Sequence, residues 1–180
     1  MERSQETTEL VEQFANPQRR YDAFRQVHAA GAEALPAIRE GLSHPDWHVR
    51  QLCAMLLDHV WDAAALRRLV LALYDPKLKV RRAAVHSLGC DRCKGGENPI
   101  DAVPLLAEKL REDKSIKVRR MAAWTLAIQQ PDKQIARVLR RALRDESDPK
   151  LRRWADWGLK RYEQTRSTDA DASGVRISKQ

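Results

Sequence analysis

Four stretches of the chain superimpose without a gap, and each sets an arginine directly after Val or Leu: PDWHVRQLCAMLLDH, PKLKVRRAAVHSLGC, KSIKVRRMAAWTLAI and DPKLRRWADWGLKRY. The aligned arginines are Arg50, Arg81, Arg119 and Arg152, and a weaker copy, RRYDAFRQVHAAG, aligns on Arg20. Successive copies are 30, 31, 38 and 33 residues apart. Self-similarity at such a period marks a repeat architecture, in which one small unit cannot bury its apolar face alone and must stack on its neighbours.

Each copy has a helical period. Counting from the arginine as zero and turning about 100° per residue, positions −1, +2, +3, +6 and +7 share one arc, as in Val80, Ala83, Ala84, Ser87 and Leu88 or Val118, Met121, Ala122, Thr125 and Leu126. Small alanines at its centre allow the next helix to approach closely. A second amphipathic stretch precedes each copy, at 32–42, 63–73, 100–110 and 135–143, with Pro36 and Pro104 placed to bend or restart a helix. The turns SHPD, YDPK and ESDP supply Asp and Pro for a break and a new N-cap. The repeating unit is helix, tight turn, helix, without a strand signal.

The pattern D-P-x-x-x-V-R-x-x-A-x-x-x-L-G, here DPKLKVRRAAVHSLG at 75–89, resembles the HEAT-repeat family in its short bacterial form, also found in phycobilin lyase-type proteins. The resemblance covers residues 17–162 and implies an all-α fold, an α-solenoid of about five hairpins. Residues 1–16 then read as an N-terminal capping segment with a short helix at 7–14, and 163–180, polar and aperiodic, as a disordered tail. In the family the aligned arginine bonds an acidic residue of the preceding turn. That implies structural work for these arginines, with Asp75 and Asp113 six residues before Arg81 and Arg119, and Asp46 and Asp148 four before Arg50 and Arg152.

Charge is unevenly distributed. The net +8 of the 180 residues divides into −3 over 1–16, 0 over 17–75, +11 over 76–162 and 0 over the tail. A one-signed field speeds encounter with anionic partners without naming them. No apolar run reaches the roughly 18 residues that a membrane span needs. The acidic, polar first residues are unlike a secretory signal, and three cysteines are an odd count, so the reading is a cytoplasmic protein with reduced thiols.

On the second helices, positions +1, +5 and +8 fall opposite the apolar arc. The last three copies carry Arg82 with His86, Arg120 with Trp124, and Arg153 with Trp157, each pair one turn apart. In HEAT-like solenoids this ridge lines the concave surface, so the six residues are the candidate partner-binding set. The function expected is a non-enzymatic scaffold that takes an anionic partner, an acidic protein segment, on a basic and aromatic face. Nucleic acid, held by phosphate contacts and base stacking, is the alternative partner; no membrane is expected. The bland reading of the same residues packs the tryptophans into the next repeat under their arginines.

His86, Cys90 and Cys93 form H-x-x-x-C-x-x-C, with C-x-x-C a familiar zinc spacing. His59, one repeat earlier at the position of Cys90, is the expected fourth ligand, with Cys53 as another candidate. Zinc is the one cofactor this set implies; the competing reading is a pair of incidental thiols and no cofactor. The chain has no Gly-rich phosphate loop, no G-x-S-x-G and no H-E-x-x-H. A HEAT-like hydroxylase would need His-Glu pairs, which are missing. A HEAT-like DNA glycosylase would need a catalytic Asp such as Asp156 beside Trp157. A bilin lyase has only the generic repeat in its favour. The enzyme readings are therefore set aside.

Overall fold

The computed structural model describes residues 2–59, 62–90, 93 and 100–174. Among the described residues there are ten α-helices and no strand. They pair as hairpins: α1 (Glu2–Glu12) with α2 (Arg20–Ala30), α3 (Leu35–Gly41) with α4 (Trp47–Leu56), and α5 (Leu66–Ala72) with α6 (Leu78–Gly89). Then come α7 (Val103–Glu112) with α8 (Ile116–Ile128) and α9 (Lys133–Asp145) with α10 (Pro149–Gly174). Three hairpins make one compact unit, Met1–Ile100, and two make a second, Asp101–Gln180.

Aspartates start the helices. Asp46 accepts from the His48 amide at 2.7 Å, Asp62 from Ala64 at 3.1 Å, Asp132 from Ile135 at 2.8 Å and Asp148 from Leu151 at 2.9 Å. Each satisfies an amide that the first helical turn leaves without a partner. Pro36 and Pro104 sit in the first turns of α3 and α7, where a missing N–H costs nothing. They restart helices and bend none. Gly31, at φ 57°, closes α2 in the left-handed region that side chains disfavour.

The expected apolar arc is the core. Val49, Val80, Val118 and Leu151 at position −1 are fully buried, as are Cys53, Ala84, Ala122 and Ala155 at +3. Helix approach is closest at two glycines. A Cβ on Gly41 of α3 would strike the Cys53 sulfur of α4. A Cβ on Gly158 of α10 would lie 2.6 Å from Leu139 Cδ1 and 3.0 Å from the Ala127 backbone.

The aligned arginines bind backbone. Each folds back over the turn before its own helix: Arg20 Nη2 donates to Ala15 O at 3.2 Å, and Arg50 Nη1 to His44 O at 2.7 Å. Arg81, Arg119 and Arg152 donate from Nη1 to the carbonyls of Asp75, Asp113 and Glu146 at 2.9, 3.1 and 2.9 Å. A helical side chain leans toward the helix N-terminus, which sets the guanidinium over that turn.

The carboxylate partners correct the expectation. Arg50 holds Asp75 with Nε at 2.6 Å and Nη2 at 3.2 Å, and Arg119 holds Glu146 with Nε at 2.8 Å. Both acids lie in the turn of the following hairpin. The preceding turn's acids are otherwise engaged: Asp46 on the His48 amide and Asp113 on that of Ser115 at 2.8 Å, while Asp148 takes Arg120 in place of Arg152.

Two terminal expectations change as well. The helix expected at 7–14 is a full first partner, α1, with Val11 and the neighbouring Phe14 buried. At the other end α10 continues through 163–174, where a disordered tail was expected from 163. A formed helix extends readily through residues that pack on nothing; 163–168 are exposed. Residues 175–180 of that expected tail lie outside the described residues.

Two stability changes follow. Arg50→Ala leaves Asp75, whose side chain is 7% exposed, without its cation and should cost about 3–5 kcal/mol in denaturant unfolding. Gly158→Ala gains helix propensity of about 1 kcal/mol. It should nevertheless melt lower, because overpacking against a backbone that cannot yield costs up to about 3 kcal/mol.

Candidate functional site

Two clusters hold the predicted residues, one in each unit. In the second unit α8 and α10 pack side by side and carry three tryptophans. Trp124 meets Trp154 edge to face with ring centroids 6.5 Å apart, and Trp154 meets Trp157 in the same way at 5.9 Å. Trp124 and Trp154 are half-buried by this contact, whereas Trp157 keeps 37% of its surface exposed. Cations cover ring faces: the Arg153 guanidinium lies 5.9 Å from the Trp154 centroid and that of Arg161 5.0 Å from Trp157. Arg161 is also tied to Gln129 O at 3.1 Å. Arg153 is exposed.

Trp157 stands at +5, a position that is exposed in α4 too, at Met55. At +4 and +8, Ala54 of α4, Asp58 just past its end, and Ala123 and Ala127 of α8 are buried, because a further hairpin covers those helices. Position +8 was expected on the open ridge, and at Asp58 and Ala127 it is buried instead. In α10 Asp156 and Lys160 stand open and pair with each other at 2.7 Å. Asp156, the acid weighed for glycosylase chemistry, is thus half of a surface ion pair.

Arg120 has a structural partner. Its Nε and Nη2 hold Asp148 at 2.8 and 2.5 Å, and Asp148 at the same time caps α10. The Arg120 guanidinium beside it holds the Asp148 carboxyl well below the usual carboxylate range. Arg82 and His86 are in the first unit. Arg82 is half-buried, with an Nε that is buried and has no hydrogen-bond partner.

His86 belongs to the second cluster. Its Nδ1 lies 2.7 Å from Asp58 Oδ2, and its Nε2 lies 3.8 Å from Cys93 Sγ, which is 2.9 Å from Cys90 Sγ. The three ligand atoms fall within 4.8 Å of one another. His59 is not with them: it is exposed, its ring edge-on to His28 at 5.2 Å. Cys53 is sealed under Gly41, and burial, with Glu12 adding to it, pushes its thiol well up.

The sequence reasoning passed over a groove of about 340 Å³ between α7 and α9, floored by Leu110 and Val138 and rimmed by Arg111, Arg137 and Arg141 together with Asp145 and Glu146. Its signal was the run Lys133, Arg137, Arg140, Arg141, Arg144 against a lone acid in α9.

Stacked helical hairpins with a repeated turn arginine define the α-solenoid class. A family model for HEAT repeats matches residues 7–89 and 103–171, most of the chain, and the chain belongs to the HEAT-repeat family. HEAT repeats generally act as protein-interaction scaffolds. No curated protein matches the chain. Among the described residues no helix is long and apolar enough to cross a membrane.

The Arg120–Asp148 pair gives a pH signature. A carboxyl depressed in the folded state contributes stability that is fully present above its unfolded value, 3.8, and fades as pH falls below it. The melting-temperature gap between wild type and Asp148→Asn should be widest above about pH 5 and shrink toward about pH 2. A gap that stays constant across a thermal-melt series would remove the ion pair as its cause.

Proposed function

We propose that the chain is a non-enzymatic scaffold whose second unit captures an acidic protein segment on the tryptophan edge of α8 and α10. The observation that carries this reading is Trp157, 37% exposed at the end of a three-ring chain and flanked by the exposed Arg153. A large aromatic left open beside a cation is a common anchor of protein interfaces, whereas a solvated ridge would use Glu or Lys. Charge supports the same partner: residues 101–180 carry 19 basic and 12 acidic side chains, net +7, and residues 1–100 net +1.

Arg120 drops out of the binding set, since its charge is spent on Asp148. Trp124 and Trp154 support Trp157 and offer edges more than faces. Base stacking needs an open ring face, and Arg161 and Arg153 already lie over one face each of Trp157 and Trp154. A peptide carboxylate asks only for the cation, and an apolar peptide side chain only for the ring edge. This geometry favours the acidic segment over nucleic acid.

The α7–α9 groove supports a second seat for the same kind of partner through its apolar floor and the exposed Arg137, since Arg111 and Arg141 are paired with Glu112 and Asp145. A fluorescent peptide of glutamates with one leucine anchor separates the two seats. Binding at low salt should weaken about tenfold or more with Arg153→Glu, one charge pair being worth on the order of 1.4 kcal/mol or more, while circular dichroism stays unchanged. Loss with Arg137→Glu alone would move the site to the groove. Tighter binding to single-stranded DNA, with a log–log salt slope of about −0.7 per phosphate, would replace the partner class.

A further inference from the structure

We infer that Asp58, His86, Cys90 and Cys93 form a zinc site in the first unit, with the two sulfurs and His86 Nε2 as ligands and Asp58 orienting the imidazole. The argument starts from the histidine. Its Nδ1 is 2.7 Å from the Asp58 carboxylate, so that nitrogen donates its proton there and the lone pair is left on Nε2. Nε2 faces the sulfurs, 3.8 Å from Cys93 Sγ. A carboxylate behind a ligating imidazole is the usual outer partner of a zinc-bound histidine, because it fixes the tautomer and raises the basicity of the other nitrogen.

The dimensions fit. Zinc–sulfur bonds of about 2.3 Å at a tetrahedral angle set two sulfurs roughly 3.7 Å apart, and a sulfur and an imidazole nitrogen roughly 3.5 Å. The observed 2.9 Å and 3.8 Å need shifts of under about 1 Å to match, and the remaining pair, the Cys90 sulfur within 4.8 Å of the imidazole nitrogen, closes by up to about 1.3 Å. Thiolate and imidazole donors together select zinc over the oxygen-seeking cations. Two elements converge to make the set: the end of α4 brings Asp58, and α6 brings His86 with Cys90 just past its last residue, so the site pins the end of one hairpin to the next.

Charge and hydrogen bonding give a second, independent indication. Asp58 is buried, and among the described residues its Oδ1 has no hydrogen-bond partner. A dication behind the imidazole compensates a carboxylate held in so dry a position. Binding is a substitution of protons: each of the two thiols loses one proton as its sulfur bonds the metal, so about two protons are released per zinc. Three protein ligands leave the fourth position to water. His59 has no place in the set, since it stands against His28.

The test uses the full chain, reduced, stripped with a chelator and titrated with cobalt(II) and then zinc. One equivalent of cobalt should give the charge-transfer absorption of thiolate ligands. The cobalt step should release about two protons, and zinc should then abolish the absorption by displacement with no further release. Cys93→Ser, His86→Ala and Cys90→Ser should each lose the band, and His59→Ala should keep it. Asp58→Asn should keep one metal per chain with affinity reduced about 10- to 100-fold. A folded, reduced wild-type chain that gives no cobalt band overturns the site, whatever the variants do. A band of full strength in both cysteine variants overturns it too.

Discussion

A guanidinium laid over a turn is the interaction from which the rest of this molecule follows. Where one helix ends and the next begins, several carbonyls point away from any helical partner and must be satisfied. One arginine per hairpin does this from the first turn of the second helix, reaching five or six residues back. Its remaining donors face outward along the stack. In Arg50 and Arg119 they take a carboxylate of the next hairpin, at Asp75 and Glu146. Closing a turn and registering the adjacent repeat are thus tasks of one side chain. Arginine can do both because its five donors are fixed in a planar fork; a lysine at the same position could satisfy only one direction at a time.

That dual use explains which parts of the fold were legible in sequence. The Val-Arg pair and the alanines after it announce the hairpin, its buried arc and its turn, because those depend on neighbours within about one turn of helix. The forward carboxylates were missed for the opposite reason. Asp75 and Glu146 lie 25 and 27 residues beyond their arginines, a distance at which no local rule selects one acid over another. The extension of α10 was missed because periodicity reports burial, and residues 163–168 form helix without burying a face.

The candidate sites divide along the same line. His86, Cys90 and Cys93 were visible as a spacing, yet Asp58, the residue that gives the histidine its orientation, was invisible because it comes from another hairpin. The tryptophans of α8 and α10 were found at the right positions with the wrong neighbours assigned. Arg120 read as an open cation and is held by Asp148, and Trp154 joins the rings. Position +8 read as open and is buried in α8 and just past the end of α4, at Ala127 and Asp58. Ridge assignments from a helical wheel assume one covered side, whereas an interior second helix of a stack is covered on two.

The sealing of Cys53 has a chemical corollary. Packed where α3 and α4 nearly touch and held far from ionisation, its sulfur is unavailable as a nucleophile, so alkylating agents and oxidants have no purchase on it while the first unit stays folded. Of the three thiols Cys93 alone is not buried. Slow appearance of reactivity at Cys53 would clock the opening of the α3–α4 hairpin, a built-in reporter of local unfolding.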